Sequence, residues 1–460
     1  MSAHPVAVAS KPKDEFGGKG MLGPKAHLAL FCWCQILVYF DRGVVSGMVD
    51  QITREVPGAD SKFLAGFLGG MFMVGYMIAS PLFVRLSQNS RSWKVYAILI
   101  GLGALAASAV STYFAWNSYI ALLFLRMLSG AGEAAFCSLA APIIDESAPT
   151  GKKSLYVGIY FMFLYVGFGA GSASCFVFSS WETGRVLFLA EAALVVLCIA
   201  VFAVLRKRFK VPETTRDDIG GLADQLKVVF TQRVFMLLSL GYGAFFFAFG
   251  AFAFWVPTVI KHVYPESVGI ADLGFGAVTI VSGIVGTAAG GILMEIVSRR
   301  FAEKARLRGF SNDVIQVLAG VAICAVIVFG GMLFTFPAVF TSNIYIFLLF
   351  FAVGTLLLFS STAPLNIAIM YSVPAALKPQ AMAVSIGLSH LIGDFPSPFV
   401  VGAIIDAAGY QLAMVFTSAV LILPVVLWLL AGYYSYRDEK LEVKQLPTED
   451  PKPTASQPTF

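Results

Sequence analysis

The segment from Arg185 to Leu205, RVLFLAEAALVVLCIAVFAVL, decides the fold class of this chain. Apart from Arg185 at its start, the segment contains a single charged residue, Glu191. An α-helix rises about 1.5 Å per residue, so an apolar segment of this length crosses the ~30 Å hydrocarbon core of a bilayer. We therefore predict a membrane-spanning helix at these residues.

A charged segment at 206–233 follows this helix and separates two similar halves of the chain. Apolar runs of spanning length recur on both sides of it. The predicted spans are 26–49, 63–86, 93–112, 116–143, 155–178 and 185–205 in the first half, and 234–260, 273–297, 315–336, 344–373, 380–405 and 412–436 in the second. Six spans on each side of a polar linker are typical of a transporter built from two parallel repeats. The sequence thus predicts an all-α, polytopic membrane protein with twelve transmembrane helices in two six-helix bundles.

The composition excludes a water-soluble enzyme. Hydrophobic residues make up 58% of the chain, charged residues make up 13%, and the mean hydropathy is +0.80. A soluble protein of this size cannot hide so much apolar surface, whereas a bilayer accepts apolar side chains on the outside of the helices. The six cysteines all lie in apolar runs, so we expect no disulfide framework, no metal site and no cofactor.

Lys and Arg are distributed unevenly between the two sides of the predicted membrane. With the N-terminus cytoplasmic, 26 of the 32 basic residues lie in the tails or in the loops on the cytoplasmic side. Arg42 and Arg126 lie inside spans. Because cytoplasmic loops carry excess positive charge, both termini are predicted to be cytoplasmic, and the net charge of +5 indicates no nucleic-acid partner. The basic residues in the opposite loops are Arg54, Lys62, Arg185 and Lys261.

These spans and charges define five predicted segments of the chain. The last of them is charged and contains proline, a composition that does not form a packed core. The segments are a cytoplasmic N-terminal tail at 1–25, an N-terminal six-helix bundle at 26–205, a cytoplasmic linker at 206–233, a C-terminal six-helix bundle at 234–436 and a disordered cytoplasmic C-terminal tail at 437–460.

Ionisable residues inside the predicted spans are few, and each needs a charged partner or a water-filled cavity. We hypothesise that they form a ladder of titratable groups facing one central cavity, where movement of an arginine between two conformations would load and release a proton. Such a ladder is the simplest physical basis for coupling transport to a proton gradient. The ladder rests on Asp41, Arg126, Glu133, His390 and Asp394. The full set of ionisable residues in the spans is Asp41, Arg42, Arg126, Glu133, Glu191, Glu295, His390 and Asp394, with Asp406 at the outer end of a span.

The same residues also admit a purely structural interpretation. Static ion pairs at Asp41, Arg42 and Glu133 would fix helix packing without moving protons. For Glu191 we favour such a structural role, at a packing interface between helices. His390 fits either a proton relay or a hydrogen bond to a neighbouring helix.

Several motifs resemble the Spinster branch of the major facilitator superfamily, and together they cover nearly the whole transmembrane region. The most specific is SHLIGDFPSP at 389–398, which is similar to that branch's signature in span eleven. The others are YFDR at 39–42, RMLSGAGEA at 126–134, APIID at 141–145, GFGAG at 167–171 and PLN at 364–366. The resemblance implies the major facilitator fold. It also implies a proton-coupled carrier of lysophospholipids or sphingolipid phosphates that works by alternating access.

By motif position, the resemblance implies roles for individual residues. Asp41 and Glu133 would couple transport to protons, with Arg42 between them. One motif departs from the family pattern, because the loop after span two, at 84–89, lacks the expected Gly and Asp. The expected substrate or gate residues are Arg42, Arg126, His390, Asp394 and Asn366, and the expected helix-packing glycines are Gly130, Gly132, Gly167, Gly169 and Gly171.

The sequence leaves two other functions open. A major facilitator carrier of a sugar or small organic anion would have the same architecture, although the spans hold few of the Asn and Gln side chains that sugar sites present. A non-transporting membrane receptor on the same scaffold is the other alternative, although a scaffold gains nothing from desolvated charges. The expected partners are a small amphiphilic substrate, protons and the lipid bilayer. We expect a monomer in an endolysosomal or plasma membrane.

Overall fold

The computed structural model describes residues 22–87, 91–149, 152–209, 222–306, 310–374 and 377–445, and in these ranges it contains helices and turns but no β-strand. The helices before the linker are α1 (Pro24–Glu55), α2 (Lys62–Ser87), α3 (Arg91–Phe114), α4 (Tyr119–Ser147), α5 (Lys153–Ser174), α6 (Trp181–Gly184) and α7 (Val186–Leu205). Those after it are α8 (Leu222–Thr231), α9 (Arg233–Val263), α10 (Val268–Arg306), α11 (Asn312–Ala338), α12 (Ile344–Ser360), α13 (Thr362–Tyr371), α14 (Lys378–Ser389), α15 (Ser397–Val420) and α16 (Ile422–Gln445). The prediction of an all-α chain is confirmed.

Some of the predicted segments fall outside the described residues. These are most of the N-terminal tail, the centre of the linker, positions 88 and 89 of the departing loop motif, and the end of the C-terminal tail from residue 446.

Short polar side chains mark where several of the long helices begin. The hydroxyl of Ser118 accepts a hydrogen bond from the backbone N–H of Ala121, and Ser311 does the same for Val314. Asn343 caps α12 through its side-chain oxygen. Each cap satisfies an N–H group that has no partner inside the helix, so the apolar stretch that follows starts at a fixed residue.

Eleven helical stretches are long and apolar enough to cross a membrane, and the last of them, Gln380–Lys440, contains two spans. At about 1.5 Å per residue this stretch would extend ~90 Å as one helix, three times the thickness of the hydrocarbon core. Gly409 interrupts it with φ 83° and ψ 170°, a conformation that favours glycine. The described part of the chain therefore contains twelve transmembrane helices, as the sequence predicts.

Two of the spans predicted as continuous helices are interrupted. The span predicted at 344–373 breaks at Ser361, between α12 and α13, and Pro364 lies in the first turn of α13. The span predicted at 380–405 contains a π-helical turn at His390–Asp394 before α15 begins. A π turn displaces the side chains that follow it and is common at functional positions in helices. Proline at Pro396 and Pro398 then limits how the helix can continue.

The chain forms two compact units, and the boundary between them does not fall at a single point in the sequence. The first unit contains the described residues of Met1–Asp217 together with Phe254–Ile280 and Pro398–Asp406. Parts of α9, α10 and α15 therefore pack with the helices of the first half. The second unit contains the described residues of Asp218–Ala253, Val281–Ser397 and Ala407–Phe460.

Glycines bring the helices of the first unit into backbone contact. A Cβ atom at Gly130 in α4 would collide with the carbonyl of Phe72 in α2, and one at Gly132 would collide with the carbonyl of Gly101 in α3. In α5, Gly167 and Gly171 lie in the same way against the backbone of α1, at Ile36 and Phe40, while Gly169 lies against Gly276. Small residues at such contacts let the helix axes approach closely. The contacts fix the backbones of α1 and α4, which carry the predicted charged residues.

We predict that Gly130→Val destabilises the protein, because the new side chain has no room between α2 and α4. Overpacking of this kind costs ~1–3 kcal/mol, and more where the obstacle is backbone. Gly103→Val in α3 is the matched control, because a Cβ atom there meets no described atom within 4 Å. Thermal unfolding of the purified protein in detergent should show a lower midpoint for Gly130→Val only. Equal midpoints for the two variants would contradict the packing assignment.

Candidate functional site

Two crossed ion pairs join α1 to α4 within the first unit. Arg126 in α4 donates from Nη1 to Asp41 Oδ1 at 2.5 Å. Arg42 donates to both carboxylate oxygens of Glu133, from Nη2 to Oε1 at 2.5 Å and from Nε to Oε2 at 3.0 Å. Four residues that the sequence predicts to act together are thus in contact, and each arginine pairs with the carboxylate of the other helix. Arg126 and Glu133 are two turns apart on α4, so their Cα atoms lie ~10 Å apart along its axis.

The two pairs differ in how far they are exposed. The Asp41 and Arg126 side chains are 3% and 6% exposed, and that of Glu133 is fully buried. Arg42 is 19% exposed, which makes it the most accessible of the four side chains. A buried charge left without its partner is costly, and the bidentate Arg42–Glu133 geometry is the strongest arrangement for a guanidinium and a carboxylate.

Aromatic rings cover the two guanidinium groups. The ring of Phe72 in α2 has its centroid 4.2 Å from Cζ of Arg42 and 4.9 Å from Cζ of Arg126. The ring of Tyr39 lies 4.9 Å from Cζ of Arg42. A cation over a ring face is stabilised by the ring quadrupole, and the effect grows when water is excluded. Phe72 therefore lies between the two ion pairs and contacts both arginines.

A serine completes the surroundings of Asp41. The Ser129 hydroxyl donates a hydrogen bond to Asp41 Oδ2, so one carboxylate oxygen binds the arginine and the other binds the hydroxyl. Tyr39 and Ser129 lie within the motifs quoted above but had no predicted role, and Phe72 lies in none of those motifs. Ser129 was detectable, because it follows Arg126 by three residues on the same helix face. The position of Phe72 depends on how α2 packs against α4, and no spacing in the sequence indicates it.

Glu191 in α7, for which the sequence favours a packing role, lies beside the buried pair. Its side chain is 1% exposed, and it interacts electrostatically with both Asp41 and Arg126. Neither carboxylate oxygen has a hydrogen-bond partner among the described residues. The Nε atom of Arg126 is also buried and without such a partner. The surroundings of Glu191 thus differ sharply from those of Asp41, which has a cation and a hydroxyl.

Most of the remaining predicted residues lie in the second unit, whereas Asp406 lies in the first, where its carboxylate accepts hydrogen bonds from the backbone N–H groups of residues 62 and 63. His390 Nδ1 and Asp394 Oδ2 are 2.8 Å apart across the π turn, and the Phe246 ring packs edge-on to the imidazole. Asn366 in α13 has a buried side-chain oxygen with no hydrogen-bond partner in the described part of the chain. A single ladder that joins these groups to the α1–α4 pairs stays a prediction.

A second charged cluster in the first unit contains residues that the sequence analysis assigned to loops or did not select. Lys261 is 8% exposed, donates to the carbonyl of Gly47 at 2.6 Å and pairs with Asp272 at 2.8 Å. Nearby in α1, Asp50 pairs with Lys62 at 3.0 Å. Arg54 and His262 also approach Asp50, at 2.9 and 3.5 Å. We call these six side chains (Asp50, Arg54, Lys62, Lys261, His262 and Asp272) the outer cluster, because they lie at the helix ends predicted to face away from the cytoplasm.

The predicted span boundaries explain why the outer cluster was missed. Asp50, Lys62, Lys261 and Asp272 each lie one residue outside a span as drawn from hydropathy. In the structure α1 continues to Glu55 and α9 continues to Val263, so these charges belong to helices. Lys62, Lys261 and also Arg54 therefore lie at helix ends and not in connecting loops. Ion pairing with buried carboxylates is what allows the charges to stay inside helix bundles.

The outer cluster yields a stability prediction. Lys261→Met should cost ~3–5 kcal/mol, because Asp272 would keep a buried charge without its cation. The double variant Lys261→Met/Asp272→Leu should recover most of this loss, because apolar packing replaces both charges. Arg299→Met is the control, because the Arg299–Glu295 pair is exposed and such pairs contribute only ~0–1 kcal/mol. Thermal unfolding in detergent measures all three variants, and a double variant no more stable than Lys261→Met would contradict the pairing.

Comparison with known proteins identifies the fold and the family. The family model of the Major Facilitator Superfamily matches residues 31–395. The chain is 29% identical over 426 residues to the probable sphingolipid transporter spinster homolog 2 of Arabidopsis thaliana. The alignment covers 86% of this chain and 84% of the relative. It is 25% identical to the sphingosine-1-phosphate transporter SPNS2 of Danio rerio, over 84% of this chain and 76% of the relative.

Solved structures agree with the sequence relatives on the fold. A bacterial homologue of the human lysosomal transporter Spinster, in an inward-facing and unoccupied conformation, matches with a TM-score of 0.70 at 17% identity, over 90% of this chain and 98% of that one. The nucleoside transporter NupG matches with a TM-score of 0.64 at 10% identity, over 89% and 99% of the two chains. With its twelve spans and its motifs in both halves, the chain belongs to the major facilitator superfamily, as a divergent member of the Spinster-like branch.

Proposed function

We propose that this chain is a secondary active transporter that works by alternating access and couples protons to the movement of lysophospholipids or related sphingolipid phosphates. The observation that carries the proposal is the crossed pairing of Asp41 with Arg126 and of Arg42 with Glu133. A fixed scaffold gains nothing from four charges in an apolar interior, because apolar residues of similar volume pack there at no desolvation cost. Charges are retained in such places where they move protons or bind a charged substrate.

The partly exposed side chain of Arg42 supports an anionic cargo. Arginine binds phosphate and carboxylate in the same bidentate way, so a phosphate reaching Arg42 competes with Glu133. Tyr39 and Phe72 provide apolar surface beside the guanidinium, which suits an amphiphilic molecule. The relatives named as sphingolipid and sphingosine-1-phosphate transporters point to the same class of cargo.

Competition at Arg42 couples the cargo to a proton. When Glu133 is ionised, its carboxylate binds the guanidinium of Arg42. When Glu133 takes up a proton, it releases that guanidinium. A phosphate bound at Arg42 in turn leaves Glu133 buried without its cation, which favours the protonated acid. The proton and the anion therefore strengthen each other's binding, as linkage requires. The Asp41–Arg126 pair would form a second coupling element, less accessible than the first.

The second six-helix bundle, proposed at 234–436, would contribute further substrate or gate residues. His390 and Asp394 are hydrogen-bonded to each other at a π turn, and the side-chain oxygen of Asn366 has no partner among the described residues and would accept from a polar ligand. The distribution of Lys and Arg supports cytoplasmic termini. For the membrane itself we propose the plasma membrane or the endolysosomal membrane, with the protein acting as a monomer.

The transport proposal predicts the behaviour of two isosteric variants. In proteoliposomes, wild-type protein should take up labelled sphingosine-1-phosphate or lysophosphatidylcholine faster with a proton gradient than without one. Asp41→Asn and Glu133→Gln should lose most of that acceleration, because each carries an uncharged amide where the carboxyl exchanges a proton. Glu295→Gln is the control, because that carboxylate is exposed and pairs with Arg299 within α10.

Each outcome of this assay has a separate meaning. Uptake that ignores both substitutions would remove the coupling assignment. Uptake of a labelled sugar or small organic anion, with no uptake of the lipids, would show that the proposed class of cargo is wrong. No movement of any compound offered would favour a receptor on this scaffold.

Recognition of the phosphate group by Arg42 is tested separately with Arg42→Lys. Lysine keeps the charge but loses the bidentate geometry, and one charge-assisted hydrogen bond contributes ~1.5–3 kcal/mol. The KM for sphingosine-1-phosphate should therefore rise ~10–100-fold. Movement of sphingosine, which lacks the phosphate, provides the comparison. An equal change for both compounds would contradict direct recognition of the phosphate by Arg42.

A further inference from the structure

The transport proposal leaves the buried carboxyl group of Glu191 without a role. Its side chain is 1% exposed, and neither oxygen has a hydrogen-bond partner among the described residues. An ionised carboxylate in such a site would have no hydrogen-bond donor among the described residues to offset its desolvation. A protonated acid avoids most of that cost. The surroundings of Glu191 are therefore those of a neutral carboxylic acid.

The charged groups around Glu191 are few. Among the helices packed against α7, α1 contributes Asp41, and α3 has no Asp, Glu, Lys, Arg or His after Lys94 near its start. Arg126 of α4 is the cation that acts on Glu191, and Asp41 is the anion. Within α7 itself, Glu191 is the only charged side chain. The relevant group is thus two carboxyls and one guanidinium in an almost dry interior.

One guanidinium balances one carboxylate, so the other carboxyl of the group holds a proton. Two carboxyls that compete for one cation in an apolar interior are not both ionised without a second cation. Asp41 has Arg126 and the hydroxyl of Ser129, and it is the ionised member here. The buried Nε atom of Arg126, which has no hydrogen-bond partner in the described ranges, is a donor still available to another acceptor.

We propose that Glu191 is a proton-holding residue of the transporter and an alternative partner for Arg126. In the conformation described here, Glu191 carries the proton and Arg126 pairs with Asp41. In the exchanged state Asp41 takes up a proton, Glu191 gives one up and Arg126 moves to Glu191. The total charge of the three groups is the same in both states, so the exchange adds no net charge to the apolar interior. This inference rests on the proposed proton coupling, and it adds a third carboxyl to Asp41 and Glu133.

A packing role for Glu191 makes a different prediction. As a packing residue it would be replaceable by leucine of similar size with no consequence for protons. As a proton-holding residue it would be mimicked by glutamine, which is neutral and nearly the same shape as the protonated acid. Glu191→Gln should therefore fold with a thermal midpoint close to that of the wild type.

Infrared spectroscopy of the purified protein tests the proposal without any cargo. Near neutral pH, wild-type protein should show the carbonyl band of a buried protonated carboxylic acid, which shifts in heavy water. Glu191→Gln should lose this band, Glu191→Asp should keep it, and the exposed-residue control Glu295→Gln should leave it unchanged. No such band in the wild type, or an unchanged band in Glu191→Gln, would overturn the proposal.

A transport measurement on the same variants separates this inference from the proposed function. Glu191→Gln should exchange labelled sphingosine-1-phosphate for unlabelled across the membrane but lose most of the pH dependence of its net uptake. If the wild type itself shows no pH dependence, the proposed coupling fails, and the infrared band still decides whether Glu191 holds a proton. If wild-type uptake depends on pH and on Asp41 but Glu191→Gln keeps the full pH profile, the role of Glu191 in coupling is overturned.

Discussion

Charges in an apolar interior must be paired, and this constraint shapes the first unit of the protein. Arg126 forms an ion pair with Asp41, and Arg42 forms one with Glu133. The ring of Phe72 lies against both guanidinium groups. Removing one partner leaves a buried ion whose desolvation nothing offsets. The protein can therefore change the charge at this site only by moving a proton or an anion together with an arginine. The proposed coupling between proton and substrate rests on that restriction.

The fold could be predicted from the sequence because it depends on length and polarity alone. Segments such as 185–205 are too long and too apolar for any soluble arrangement, and a polar linker divides them evenly. Breaks in the helices were less predictable. Gly409 adopts a positive φ, which one glycine in an apolar run does not by itself indicate. The π turn at His390–Asp394 depends on local backbone hydrogen bonds, and the nearby prolines and glycines do not specify these bonds.

The charged residues could be identified from the sequence, but not their partners. Asp41 and Arg42 are neighbours in the chain, yet each binds a residue of α4, because adjacent positions on a helix point in different directions. Hydropathy placed Lys261 and Asp272 just outside the spans, since a window that scores apolar residues stops at the first charge. The sequence favoured a packing role for Glu191, and only the packing of α7 against α1 gives it a position beside Asp41.

The most direct test of this account measures protons moved by the cargo itself. Proteoliposomes that enclose a pH-sensitive dye would receive an outward or inward gradient of sphingosine-1-phosphate with no pH difference imposed. The account predicts a change of internal pH that follows the direction of the lipid gradient and disappears in Glu133→Gln. Lipid movement by the wild type without any accompanying change of pH would contradict it.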